Sequence, residues 1–280
     1  GASNVCVGST TTLASSTAGG TWSSSNTGVA SVSASGVVTG LTAGTTTITY
    51  SVTNGNGCTN ETTASVTVNA VPTATITAGG ATTFCTGGSV TLTASAGTSY
   101  LWSNGAQTQT ITVSTADNYT VTVTNASGCS TTSAAEAVTV NPLPVVSSIT
   151  GASNVCVGST TTLASSTAGG TWSSSDAGVA SVSASGVVTG LTAGTTTITY
   201  SVTNGNGCTN ETTASVTVNA APTAPVIVAS GPTTICPSST VTLTAPAGFT
   251  YAWSNGALTQ SITVSQTDVY TVTITNAAGC

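Results

Sequence analysis

The cysteines are the side chains in this sequence whose type and spacing promise covalent chemistry. They stand at Cys6, Cys58, Cys85, Cys129, Cys156, Cys208, Cys236 and Cys280, with separations of 52, 44, 52 and 44 residues within successive pairs. That alternation cuts the chain into repeating units of about 70 residues with two cysteines each. Thiols so placed can bind metal, attack a substrate or pair with one another. Zinc sites use close pairs such as C-x₂-C, and the nearest cysteines here are 27 residues apart. One even pair per unit predicts a disulfide framework instead, and with it an oxidising compartment. The expected bridges are Cys6–Cys58, Cys85–Cys129, Cys156–Cys208 and Cys236–Cys280, one inside each unit. Closing loops of that length contributes roughly 4 kcal/mol each in the chain-entropy description.

Other chemistry has little to work with. The 280 residues include no Lys, Arg, His or Met and only six acids. General acid–base catalysis needs a group that titrates near neutrality, or a carboxylate pair with displaced pKa values. Glu61, Asp117, Glu136, Asp176, Glu211 and Asp268 are scattered one or two to a unit. A glycosidase-type pair would have to form across two units; solvated surface acids are the plainer reading. Ser and Thr abound, but no base stands by to activate one. No enzyme, cofactor or metal site is expected. A net charge of −6 without one basic residue argues against binding nucleic acid or anionic lipid through counterion release. No apolar run is long enough for a membrane-spanning helix.

Three weaker patterns remain. Trp22, Trp102, Trp172 and Trp253 recur once per unit; a row of them could stack on sugar rings, whereas the structural expectation is one core Trp per unit. Tyr50 and Tyr200 are expected as core or corner residues. Asn60, Asn118, Asn125 and Asn210 each begin an N-x-S/T acceptor pattern. Alternating Thr, as at Thr45, Thr47 and Thr49, could order water on a flat face and bind ice, although β-propensity alone explains it.

The elements that carry these residues are legible from their period. Thr10 to Ser15 and Thr45 to Val52 alternate β-branched with small residues, and Gly, Asn and Ser interrupt the pattern every 8–12 residues or so. Short antiparallel strands in sandwiches are the expected result, with no helix. Asn54-Gly55-Asn56-Gly57 and Ser103-Asn104-Gly105 mark hairpin turns, since Asn-Gly takes positive φ at little cost.

Residues 1–70 and 151–220 are identical except at Asn26/Asp176 and Thr27/Ala177. Proline-bearing junctions at Pro72, Pro142, Pro144 and Pro222 then delimit domains at 1–70, 71–143, 144–220 and 221–280, two alternating types in a semi-rigid row. Val145 to Thr150 reads as an opening strand that the first domain lacks. Ala137 to Val140 reads as a closing strand that the fourth lacks. The chain opens in mid-pattern at Gly1, as a window from a longer array or a processed piece would. Alternatively, one chain's end completes the next chain's sandwich by strand addition.

Gly28-Val29-Ala30-Ser31-Val32, Gly36-Val37-Val38-Thr39-Gly40-Leu41 and Ala43-Gly44-Thr45-Thr46-Thr47-Ile48-Thr49-Tyr50 resemble the bacterial immunoglobulin-like domain of group 2. The pattern returns from Gly178 to Tyr200. The second type, with Tyr100-Leu101-Trp102-Ser103-Asn104-Gly105 and Tyr119 to Val123, is similar to the PKD-like and Ig-like repeats of Bacteroidota surface adhesins. The resemblance implies an all-β rod of tandem Ig-like sandwiches on the bacterial cell surface, with no catalytic residues to carry over. The function expected is a structural repeat of an extracellular stalk, filament or adhesin. Its partners would be neighbouring repeats, or further copies joined by strand complementation. A glycan- or ice-binding array is the alternative.

Overall fold

The computed structural model describes residues 1–280, all in strands, turns and irregular connections. Contacts divide the chain into two compact units, Gly1–Pro142 and Leu143–Cys280. Each holds two separate hydrophobic clusters, and each cluster is the core of one sandwich.

In the first sandwich the long strands Gly44–Thr53 and Thr59–Asn69 form a hairpin across the Asn54 to Cys58 turn. Thr21–Ser24 pairs with the outer edge of Gly44–Thr53, and Asn4–Cys6 runs parallel along the other edge. The facing sheet is Thr10–Thr12, Val37–Gly40 and Ala30–Val32. Alternation along Gly44–Thr53 turns Ile48 and Tyr50 inward, where Ile48 meets Val38, Val66 and Val68. That small aliphatic core is what a period of two in β-branched residues builds. Thr46 is the polar exception on the inner face. Its hydroxyl accepts the Asn26 N–H at 3.0 Å and lies 3.1 Å from the hydroxyls of Ser24 and Ser25, so the buried oxygen is fully occupied.

Tyr50 locks the loop before Thr21. Its hydroxyl donates to the Thr17 carbonyl and accepts the Gly20 N–H, both at 2.8 Å, while its ring lies 4.5 Å from that of Trp22. The third sandwich repeats this arrangement with Tyr200 and Trp172. One expectation is softened there: Val145 to Thr150 contributes a single bridge, Thr150 to Ala164, rather than a strand. Ile149 still packs against the core, and Val145 is exposed.

The second sandwich comprises two three-stranded sheets and a short third one. One contains Ile76–Ala78, Val90–Ala94 and Thr110–Val113; another contains Ser99–Trp102, Val121–Thr124 and Ser130–Thr132. In the third, the closing strand Glu136–Asn141 lies between Asp117–Tyr119, antiparallel, and Thr83–Cys85, parallel. The fourth sandwich keeps the pairs Val241–Thr244 with Ser261–Val264 and Thr250–Trp253 with Val272–Thr275. It has no counterpart of the short third sheet.

Candidate functional site

Two features stand out for function: the joint between successive sandwiches, and a groove along the fourth one. The joint begins with a local motif. At Asn125 the side-chain oxygen accepts the Ser127 and Cys129 N–H groups, both at 3.0 Å, and Gly128 closes the turn at a φ of 77°. A φ in that region is open to glycine without steric cost. The same Asn-x-x-Gly-Cys turn recurs at Asn54 to Cys58, Asn204 to Cys208 and Asn276 to Cys280. It presents the second cysteine of every sandwich at the tip of a hairpin.

The first cysteine sits elsewhere. Cys6 ends a short strand whose register places it opposite Asn69, the last residue of the long strand that begins just after Cys58. Eleven residues of extended chain, at about 3.3 Å each, put those ends some 35 Å apart. A disulfide requires Cα atoms within about 7 Å. The expected Cys6–Cys58 bridge is therefore ruled out by geometry, and so is Cys156–Cys208, where Cys156 likewise lies opposite Asn219 at the far end of Thr209–Asn219.

Cys6 bonds Cys129 instead, with Cα atoms 5.7 Å apart. Cys156 bonds Cys280 in the same way, at 5.6 Å. In both cases the first cysteine of one sandwich is tied to the second cysteine of the next. Cys58 and Cys236 are free, exposed thiols, so neither the expected Cys6–Cys58 bridge nor the expected Cys236–Cys280 bridge forms. Cys85 and Cys208 are disulfide-bonded.

A hydrogen bond closes the same joint. The Asn125 side-chain NH₂ donates to the Ala70 carbonyl at 2.8 Å, one residue past the Asn69 that faces Cys6. Asn276 does the same to Ala220 at 2.9 Å. Sequence reasoning assigned Asn125 to a glycosylation pattern and missed this clamp. The signal was available in the fourfold Asn-x-x-Gly-Cys spacing. Of the remaining acceptor candidates, Asn210 donates its NH₂ to the Pro144 carbonyl at 2.9 Å, and Asn60 and Asn118 are exposed.

The groove lies where the second and fourth sandwiches differ. Tyr119, 2% exposed, and Val138 on the closing strand belong to the second core. In the fourth sandwich the matching Tyr270 is partly exposed, and the segment around it lines a cavity of about 700 Å³. Ile227, Ile235, Cys236, Val241 and Val264 form its apolar floor and wall. On the same sandwich Val269 is 80% exposed and Val228 is 63% exposed.

The other sequence candidates are placed as follows. Trp102 and Trp253 are buried, each donating its indole N–H to a carbonyl, of Thr108 and Thr259, at 2.8 Å. Trp22 and Trp172 are half-buried beside Tyr50 and Tyr200. Thr45 and Thr47 are exposed on one strand. No group of three or more His, Cys, Asp or Glu residues is arranged to hold a metal ion. No helix is long and apolar enough to cross a membrane.

No curated protein matches the chain. Among solved structures, a Ca²⁺-stabilized adhesin that helps an Antarctic bacterium reach out and bind ice is 18% identical, with a TM-score of 0.34 over 93% of this chain and 80% of that one. A 1.5-MDa bacterial ice-binding adhesin matches at 18% identity and a TM-score of 0.30, over 78% of this chain and 95% of that one. The D1–D4 ectodomain fragment of ICAM-5 matches at 13% identity and 0.34, over 95% and 88%. Residues 1–63 match the bacterial Ig-like domain, group 2.

Proposed function

We propose that the chain is a non-catalytic structural stretch of an extracellular bacterial stalk, filament or adhesin, built to transmit tension between what lies at its two ends. The observation that carries this reading is the pairing of cysteines across sandwiches. A staple inside one sandwich protects that sandwich alone. A bond from Cys6 to Cys129, or from Cys156 to Cys280, ties neighbours into one covalent path. Disulfides belong to oxidising compartments, and the group 2 match supports the cell-surface assignment. Asn60 and Asn118 are the acceptor-pattern residues left accessible to surface sugars. Labelling intact cells with antibody against this chain, followed by electron microscopy, should place it along extended structures outside the envelope. Finding it confined to the cell interior would refute the assignment.

Neighbouring repeats or further copies are the partners, engaged through strand addition. The groove of the fourth sandwich is lined by Asp268 and Tyr270, which match the Asp117 and Tyr119 that pair with Glu136–Asn141 in the second sandwich. Main-chain pairing with two edges and one Val138-like side chain in the cavity would recover the burial seen there. A synthetic peptide with the sequence of residues 130–141 should slow amide exchange in residues 227–236 and 264–272. Unchanged exchange at saturating peptide would exclude this mode of assembly.

A further inference from the structure

We propose that Trp172, and Trp22 at the matching position of the first sandwich, each anchor a binding site for one neutral pyranose ring. The inference is independent of tension transmission, so either can fail without the other.

The four tryptophans divide into two kinds. Trp102 and Trp253 are 2% and 4% exposed, and each donates its indole N–H to a carbonyl. These are core residues with their polar atom committed. Trp22 and Trp172 are half-buried. Their indole N–H groups donate to no acceptor in the protein, and no side-chain nitrogen or oxygen sealed from solvent lacks a partner. Each of these two N–H groups is therefore an open donor.

Around Trp172 the surface is built into a small cavity of about 200 Å³, lined also by Leu163, Ser165, Ser185 and Tyr200. The Tyr200 ring lies 4.5 Å from the indole, tilted by 44°, and its hydroxyl is fixed between Thr167 and Gly170. That contact holds the indole in place from the core side. Gly186, at a φ of 81°, lets its turn lie against the ring edge: a Cβ there would come 3.2 Å from the indole Cε2 and would collide with the Leu163 carbonyl. The turn thereby brings Ser185 to the cavity. Its hydroxyl meets that of Ser183 at 2.9 Å, while Ser183 accepts the Val187 N–H. One acceptor position on Ser185 is left for a ligand.

The cavity persists beside the Thr150 to Ala164 bridge and the packed Ile149. The first sandwich repeats its parts. Trp22 and Tyr50 lie 4.5 Å apart, tilted by 47°. Gly36 stands at a φ of 80°, where a Cβ would come 3.1 Å from the Trp22 Cε2, and the Ser33 and Ser35 hydroxyls meet at 2.9 Å.

The lining selects the ligand class. No charged side chain is among it, so an ionic ligand would shed water without gaining a counter-charge. An aromatic face with a donor N–H at its edge and a hydroxyl beside it suits a molecule that is apolar on its face and hydroxylated on its rim. A pyranose with equatorial hydroxyls has that division, because its axial C–H bonds line the face. Sites for drug-sized ligands run to roughly 300–1,000 Å³; this smaller cavity admits one ring, free or as a residue of a neutral polysaccharide.

The test follows the indole N–H signals of the isotope-labelled chain by NMR during titration with methyl β-D-glucopyranoside. The signals of Trp22 and Trp172 should shift saturably, with half-saturation at roughly 1–10 mM for a ligand of that size. Those of Trp102 and Trp253 should stay in place. W172F keeps an aromatic ring against Tyr200 and removes the donor. In that variant the Ser185 amide should respond only at about tenfold higher sugar, while the unchanged Trp22 response shows that the chain is folded. S185A, at an exposed residue, should raise half-saturation at Trp172 about three- to tenfold and leave Trp22 unaffected. A soluble neutral β-glucan distinguishes the source. Tighter binding per ring than the methyl glycoside identifies the polymer, and weaker binding identifies the free sugar. Shifts that grow linearly to about 100 mM sugar, far above the expected Kd, would overturn the site. So would equal movement of all four indole signals, or a W172F chain whose Ser185 amide titrates as before.

Discussion

Pulled from its two termini, the oxidised chain should lengthen by only a small fraction of what the reduced chain gives. The covalent path explains why. Tension entering at Gly1 reaches Cys6, crosses to Cys129, runs along the backbone to Cys156 and crosses to Cys280. Residues between Cys6 and Cys129, and between Cys156 and Cys280, lie outside that path. Roughly 35 residues bear tension, so the extended oxidised chain measures about 120 Å at ~3.4 Å per residue. With every bridge reduced, all 280 residues can be drawn out, to about 950 Å. Force spectroscopy with enzymatically attached terminal handles, with and without reductant, reads the difference directly. Equal lengths in the two states would show that the bridges do not shield the sandwiches. Bridges inside each sandwich, as the cysteine spacing suggested, would leave longer stretches of each domain outside the loops and give an intermediate value.

Much of the fold follows from local pattern. The alternation through Thr45 to Val52 and the Asn54-Gly55-Asn56-Gly57 turn specify the long hairpin whose register pairs Thr53 with Thr59. Asn104 likewise supports the turn after Trp102, its side-chain oxygen accepting the Ala106 N–H. These features are local, and period and turn chemistry suffice to fix them. The cysteine pairing is of another kind. It depends on the short parallel pairing of Asn4–Cys6 with Thr67, Val68 and Asn69, more than sixty residues away in sequence. A three-residue strand carries no periodic signal that would reveal its partner. The even spacing of cysteines described the repeat truthfully, yet it said nothing about which end of a sandwich each thiol occupies.

The Asn residues teach the same lesson at the joint. Asn125 satisfies an acceptor pattern in sequence, but both ends of its amide are committed in the fold. The oxygen organises the turn to Cys129, and the NH₂ holds Ala70. A clamp of this kind sets the linker relative to the hairpin tip with one side chain, and the Cys6–Cys129 disulfide fixes the same joint covalently. Short proline-bearing linkers serve the same end, because they leave few backbone conformers for the joint to explore.

Replacing the Cys6–Cys129 bridge with serines should destabilise the Gly1–Pro142 unit far more than removing Cys58. In the chain-entropy description, a bond closing 123 residues contributes about 5 kcal/mol, because it denies the unfolded chain most of its wider conformations. The double variant C6S/C129S also avoids a newly orphaned thiol that could exchange with Cys58. For a urea dependence of about 2 kcal/mol per molar, its midpoint should fall by about 2.5 M. Loss of the bridge should also let the first two sandwiches melt as separate transitions, since only the Pro72 linker and bonds such as Asn125 to Ala70 would then join them. C58S removes an exposed sulfhydryl whose turn is held by the backbone N–H groups of Asn56 and Cys58 on the Asn54 oxygen. Those bonds survive the substitution, so the change should stay within about 0.5 kcal/mol. The contrast decides between the two pairings. If C58S were as damaging as C6S/C129S, the bridge would have to lie within the first sandwich, and the covalent path from one sandwich to the next would not exist.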